Sequence, residues 1–218
     1  MRMDRLFERV APAYDLQLLL ERRALRAAAR LAGPLDGLRV LDLATGTGAL
    51  AAALLDRSDP PAELVAVDRS PAMLARARRR LASHGVRSRV NVTLADARRL
   101  PHPDGRFDLV TSAYFLHLLE PEDADAVLGE VRRVLRPGGH LVTVVHSAPP
   151  TRLGGLYRQG WAALERVLPL VGAGPLDDAR PILERAGFAT RGERRVGWGY
   201  WSQVLLSERD RSPESQRK

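Results

Sequence analysis

Apolar residues recur along this chain in two rhythms that take turns. Residues 16–31 place Leu16, Leu19, Leu20, Ala24, Ala27 and Leu31 at helical spacing. After the turn at Gly33-Pro34, residues 38–43 read as a short apolar strand. A helix over 48–57 follows and is stopped by Asp59-Pro60-Pro61. ELVAVD, residues 63–68, is a second strand, and Ser70-Pro71 supplies an N-cap and a first-turn proline for the next helix. Its inner face is Met73, Leu74, Ala77 and Leu81. Residues 89–95 alternate through Val90, Val92 and Leu94, and FDLVTSA at 107–113 makes a fourth strand. Ala124, Val127, Leu128, Val131, Val134 and Leu135 mark another helix, stopped by Arg136-Pro137-Gly138-Gly139, and HLVTVV follows as the fifth strand.

Strand and helix alternating five times predict an α/β fold, a parallel sheet with helices on both faces. Ligands in such sheets bind at the carboxyl ends of the strands. The acids at those ends, Asp42, Asp68 and Asp96, therefore carry weight. After residue 187 the rhythm breaks: FATRGERRV and GYWSQVLLSE are consecutive strand-like segments joined by Gly197-Trp198-Gly199, which predicts a closing hairpin. Residues 147–174 form an insertion in which Leu153, Leu156, Tyr157, Trp161, Leu164, Val167 and Leu168 recur at helical spacing. Two readings are open for it, a lid over a hydrophobic acceptor or an extra core or dimer helix. The expected organisation is a single domain over 1–207, with a helical cap at 1–36 and a polar, disordered tail at 208–218.

Composition removes several chemistries. The 218 residues are 45% hydrophobic, enough for one sizeable core. The absence of cysteine excludes disulfides, thiolate metal sites, iron–sulfur clusters and a cysteine nucleophile. No apolar run approaches the roughly 18 residues of a membrane span, and MRMDRLFERV has charges where a signal peptide is apolar, so a soluble, cytoplasmic protein is expected. A net charge of +8 and a pI near 10.9 invite a nucleic-acid reading. However, Lys218 is the only lysine and the arginines are scattered along the chain; even the densest group, Arg76, Arg78, Arg79 and Arg80, reads as a solvated helix face.

The stretch VLDLATGTGAL, residues 40–50, fits two nucleotides. From its glycines, Gly46 onward satisfies G-x-G-x-x-A with Asp68 downstream, the dinucleotide fingerprint. From its acid, Asp42 opens D-x-A-x-G-x-G, a different pattern. Four blocks weigh on the choice: FERVAPAYD, VLDLATGTGALA, VAVDRSPAMLARAR, and ADARRLPHPDGRFDLVTSAYFLHLL with VLRPGGHLV after it. With these in order, the chain resembles the class I S-adenosylmethionine-dependent methyltransferases, and within them the small-molecule group that includes the ubiquinone and menaquinone C-methyltransferases.

That resemblance implies a Rossmann-like, seven-stranded sheet, mostly parallel with a C-terminal antiparallel hairpin, and S-adenosylmethionine as cofactor. Glycines 46 and 48 let the backbone approach the methionine part, and the following helix start offers N–H donors to its carboxylate. Asp42, Ala44 and Thr45 belong to the same loop, and Asp42 has a second reading as the acid that orients it. Asp68 is suited to two ribose hydroxyls. By resemblance, Asp96 binds the adenine amino group, Ala97 reads the ring, Arg69 and Met73 flank it, Tyr14 folds over the cofactor and Ser112 holds the methionyl end. Two positions depart from the pattern: Ala44 replaces a glycine, and His102 replaces an apolar residue, which implies a more polar or open adenine site.

The implied chemistry is methyl transfer to a small, hydrophobic or aromatic acceptor by in-line displacement. His117 is the candidate general base, with His146, Tyr114 and Tyr157 behind it, and Tyr157 and Trp161 are candidates for holding the acceptor. No metal is expected. Alternatives are an RNA or other nucleic-acid methyltransferase and an NAD(P)-binding oxidoreductase. The strand end TSAYF lacks the Asn/Asp-Pro-Pro-Tyr of base-amino methylation, and the oxidoreductase leaves Asp42 and Asp96 without a role. A homodimer is a further expectation.

Overall fold

The computed structural model describes residues 20–84, 89–149, 151, 154–167, 174–198 and 200–210. Tyr14, Leu16, Leu19, Leu153, Leu168 and the 211–218 end of the tail lie outside the described residues. Seven strands form one sheet: β1 (Arg39–Leu43), β2 (Glu63–Asp68), β3 (Arg89–Leu94), β4 (Phe107–Ala113), β5 (Leu135–His146), β6 (Phe188–Trp198) and β7 (Tyr200–Arg209). Their order is β3-β2-β1-β4-β5-β7-β6. β1 to β5 pair in parallel, while β7 runs antiparallel to both β5 and β6. This is the seven-stranded, mostly parallel sheet with a closing antiparallel hairpin that the resemblance implies, and the order reverses between β1 and β4, beside the loop that follows β1.

Helices cover both faces, as apolar strands buried on two sides require. The helix over 20–31 (α1) and α2 (Ala49–Leu55) bury Ala24, Leu25, Ala28, Leu50 and Leu54 against Val40, Leu109, Val142 and Val144. Helices α4 (Pro121–Val134) and α6 (Arg180–Arg185) bury Val127, Val131 and Leu183 against Leu41, Val110, Leu141 and Leu205 on the other face. α3 (Pro71–Leu81) starts where Ser70 Oγ accepts from Met73 N at 3.3 Å, with Pro71 in its first turn. α5 (Gly154–Val167) lies within the insertion.

The structure corrects the sequence reading in three places. The alternation fails once: β3 and β4 are joined by the segment 95–106, which turns at Asp96–Arg99 and contains no helix, because Pro101, Pro103 and Gly105 break any helical run. Arg133 of α4 holds that segment by donating to the carbonyls of Leu100 (3.0 Å) and His102 (2.7 Å). β5 begins at Leu135, directly after α4, rather than at residue 140, and its register against β4 shifts between Phe107 and Leu109. In α1, Leu20 is 61% exposed and the buried stripe is Glu21, Ala24, Leu25, Ala28 and Ala29.

Candidate active site

A cavity of about 440 Å³ opens at the carboxyl ends of β1, β2 and β3. Its floor is the loop after β1, and the sequence folds that loop through a chain of polar contacts. Asp42, the penultimate residue of β1, is buried and accepts the hydroxyl protons of Thr45 (2.5 Å) and Thr111 (2.6 Å). Burial pushes its carboxyl up to about 6, against the pull of those two hydroxyls. Ala44 sits at φ 51°, in the left-handed region, where relatives of the pattern carry glycine. Gly46, at φ 55°, has nothing within 4 Å of where a Cβ would stand, so the backbone there faces open cavity. Gly48 has no such room, since a Cβ would meet Ala77 at 3.2 Å. The helix expected over 48–57 is present and slightly shorter, as α2 runs over Ala49–Leu55 with Gly48 at its N-cap.

Asp68 ends β2 and binds the loop directly: Oδ2 accepts from Gly46 N at 2.9 Å and Oδ1 from Ser70 N at 2.8 Å. Each oxygen retains a second lone pair, which leaves acceptor capacity toward the cavity. Burial raises its pKa, opposed by those backbone donors. Asp96 follows β3 and is held by Arg98, whose Nη2 reaches Oδ2 at 2.7 Å and whose Nη1 also reaches Asp123 Oδ1 at 3.1 Å. The Arg98 guanidinium holds the Asp96 carboxyl below its usual range.

Of the residues singled out from the sequence, Asp42, Ala44, Thr45, Gly46, Asp68, Arg69, Met73, Asp96 and Ala97 line this cavity together. Ser112 does not: it neighbours Thr111 on β4, whose hydroxyl points at Asp42, so Ser112 projects to the opposite face. His102 is also outside the cavity, packed edge-on against Phe107 at 5.1 Å, so it does not open the adenine side. Arg80, read as part of a solvated face, instead donates to the Thr47 carbonyl at 2.6 Å and braces the glycine loop. Glu21, Arg98 and Asp123 line the cavity and were not singled out. Glu21 carried a usable signal as the one acid within the apolar stripe of α1.

The cavity's charge decides between the two nucleotides. Six carboxylates (Glu21, Asp42, Asp68, Asp96, Glu120, Asp123) face two guanidiniums (Arg69, Arg98). An anionic pyrophosphate would be repelled by that lining, whereas a cationic sulfonium with an ammonium group is attracted. The residues present therefore fit S-adenosylmethionine.

Beside the cavity, on the far side of Tyr114, lies a cluster of packed aromatic rings under α5. Tyr114 lines the cavity, adopts φ 55° and shares a hydrogen bond of 2.7 Å with Ser202 Oγ of β7. Behind it the His146 ring stacks on Tyr200 at 4.4 Å, meets Trp161 edge-on at 4.3 Å and lies 6.1 Å from His117. Tyr157 OH and His146 Nε2 are 3.0 Å apart. Burial, and secondarily His146, depress the His117 imidazole to about 3. His117, Tyr157 and Trp161 thus pack around one ring, His146, outside the cofactor-sized cavity.

The chain belongs to the class I S-adenosylmethionine-dependent methyltransferases, and it is an S-adenosylmethionine-dependent enzyme. A methyltransferase-domain family matches residues 40–139. The chain is 43% identical over 173 residues to a demethylmenaquinone methyltransferase of Thermus thermophilus, covering 77% of this chain and 75% of that one. It is 34% identical over 177 residues to a ubiquinone/menaquinone biosynthesis C-methyltransferase of Geobacter sulfurreducens, covering 78% and 67%. Among solved structures, the fold is similar to that of a magnesium protoporphyrin IX methyltransferase from Synechocystis with bound S-adenosylhomocysteine, with a TM-score of 0.67 at 18% identity, covering 89% of this chain and 87% of that one. The nicotinamide and nucleic-acid alternatives find no support. Among the described residues no helix is long and apolar enough to cross a membrane.

Proposed function

We propose that the chain methylates a ring carbon of a quinone-type acceptor such as demethylmenaquinone, acting in the cytoplasm as a single domain with α5 as a lid. The observation that carries this reading is the 43% identity to a demethylmenaquinone methyltransferase. The acid-lined cavity beside an aromatic cluster is consistent with it, because a cationic donor and an apolar aromatic acceptor need such neighbouring surroundings.

When bound, S-adenosylmethionine supplies a methyl group already activated by its sulfonium. In this reading Asp68 accepts the ribose hydroxyls, and Asp96 accepts from the adenine amino group beside Ala97, Arg69 and Met73. The loop of Asp42, Ala44, Thr45 and Gly46 cradles the methionine end. Tyr157 and Trp161 hold the acceptor ring; His117 receives the acceptor's hydroxyl proton as the methyl joins the ring carbon, and the proton of that carbon then returns to the oxygen and restores the aromatic ring. Ser112 has no direct role, and Tyr14 keeps only the role its resemblance suggests. Orienting two reactants in a closed site is worth roughly 7–11 kcal/mol; a general base adds about 10²–10⁴-fold.

Incubation of the enzyme with S-adenosylmethionine and reduced demethylmenaquinone tests the reading. The expected product carries one added methyl on the ring carbon, read by mass spectrometry. In parallel, S-adenosylhomocysteine at 100 times its Kd should stabilise the protein by about 2.7 kcal/mol, with no response to NAD. Stabilisation by NAD alone, or absence of methylated product, would sink the proposal.

A further inference from the structure

Among the described residues, the large apolar side chains left exposed are Leu20, Leu94, Leu156 and Leu164. All four lie at the carboxyl edge of the sheet. Leu20 precedes Glu21, which lines the cavity, and Leu94 is the last residue of β3. Leu156 and Leu164 belong to α5, whose Tyr157 and Trp161 pack on His146, the last residue of β5. On α5 the exposed Leu156, Gly160, Ala163 and Leu164 fall at i, i+4, i+7 and i+8, a continuous apolar stripe facing away from the body. The Tyr157–His146 contact and the Arg158–Asp177 ion pair hold the helix in that orientation. A lone exposed leucine needs no explanation, but an ordered stripe does.

The charge around the stripe is arranged as well. His146 lies on the same side of β5 as Val142 and Val144, so α5 covers the sheet face that α1 covers. Arg22, Arg23 and Arg26 of α1 and Arg166 of α5 are exposed, and none of them is in an ion pair among the described residues. At the amino edge of the sheet, by contrast, Arg39 and Arg136 are paired with Asp108, and Arg106 with Glu63. The acids that start α4, Glu122 and Asp123, belong to the opposite face. A second copy seated on this surface about a two-fold axis would bring like guanidiniums together. An anionic bilayer instead offers acyl chains to the leucines and phosphates to the arginines.

We infer that the outer face of α5 and the start of α1 dock this protein on the surface of an anionic phospholipid bilayer. Leu156 and Leu164 enter the boundary between headgroups and acyl chains, and Arg22, Arg23, Arg26 and Arg166 meet lipid phosphates. With polar residues on its other sides, α5 lies in the interface and does not span it. The inference goes beyond the reaction proposed above and needs no acceptor to be tested. Where both hold, an apolar acceptor dissolved in the bilayer reaches the α5 side of the site without crossing water.

The test is co-sedimentation of the full chain with vesicles of phosphatidylcholine alone and of phosphatidylcholine with about one quarter phosphatidylglycerol, at roughly 0.1 M salt. The wild type should bind the anionic vesicles at least about tenfold more tightly than the neutral ones. Replacing both stripe leucines, Leu156→Glu with Leu164→Glu, should weaken anionic-vesicle binding by at least about tenfold. Arg22→Gln alone should weaken it about fivefold. The leucine variant should keep its S-adenosylhomocysteine affinity within about twofold, since neither leucine lines the cavity. No vesicle binding, equal binding to both lipids, or binding that survives the leucine variant would each overturn the docking surface. So would sedimentation equilibrium showing a dimer that the leucine variant dissociates, because a second copy would then be the occupant. Docking on anionic vesicles without methyl transfer would leave the surface standing and remove the proposed reaction.

Discussion

Ala44 holds a left-handed backbone angle, φ 51°, at the position where the cofactor loop leaves β1. An L side chain there costs roughly 1–2 kcal/mol, and the loop's ties, Thr45 to Asp42 and Gly46 to Asp68, hold it in place regardless. Ala44→Gly is therefore expected to raise stability by about 1 kcal/mol and Tm by about 2–4 °C, read by thermal unfolding. Asp68→Asn should act in the opposite sense on binding: with one charged acceptor lost, S-adenosylhomocysteine affinity should fall about 10–100-fold by calorimetry. Two buried groups give the pH profile opposing slopes. Asp42 has a raised folded-state pKa, about 6, so the folded chain holds its proton longer and stability from this group falls as pH rises from about 4 to 6. His117 has a depressed one, about 3, so the unfolded chain takes the proton first and stability is lost as pH falls below about 6.5. Denaturant unfolding at several pH values should show Asp42→Asn removing the first slope and His117→Phe the second. The strand-end acids were legible in the sequence because position alone marks them. Arg98 and Arg80 were not, because their roles depend on contacts between segments far apart in the chain.

At the scale of elements, the segment 95–106 shows how a loop whose own bonding is one short turn, Arg99 N to the Asp96 carbonyl at 3.0 Å, is kept in place by its neighbours. Arg133 donates to the carbonyls of Leu100 and His102 while pairing with Glu130 and Asp104. Leu100 N in turn donates to Glu130 Oε2 at 2.7 Å. Arg133→Ala should cost about 1–3 kcal/mol of stability and weaken cofactor binding several-fold through looser placement of Asp96 and Ala97, while Arg133→Lys recovers only part of either. The sequence pattern placed β1, β2, α3 and the hairpin well, because each is short, apolar and bounded by Pro or Gly. It misjudged 95–106, where alternation was assumed to continue, and it treated the α5 stripe as one face. In the structure Tyr157 and Trp161 turn inward while Leu156 (67% exposed) and Leu164 (40%) turn outward, a split that helical spacing alone does not resolve, since residues one apart lie about 100° apart.

Taken whole, the molecule is basic, yet its cavity is acidic: a net charge of +8 surrounds a lining with six carboxylates and two guanidiniums. Composition reports only the first figure, which is why it suggested a polyanion as partner. The arrangement favours a cationic ligand inside, so raising ionic strength should weaken S-adenosylmethionine more than S-adenosylhomocysteine, which lacks the sulfonium charge; equal losses in a salt titration would count against this account. The sheet order has another consequence. β7 is the last strand in chain order but lies between β5 and β6, pairing Val204 with Val144 and Arg194. It also carries Ser202, which anchors Tyr114, and Gln203, whose Oε1 accepts from Ala179 N ahead of α6. On a ribosome, β1 to β5 can therefore assemble while the chain is still being made, but the hydrogen bond that fixes Tyr114 in the cavity wall must wait for residues 200–209 to emerge. The nascent chain would thus hold its cofactor cradle before one side of that cradle was secured.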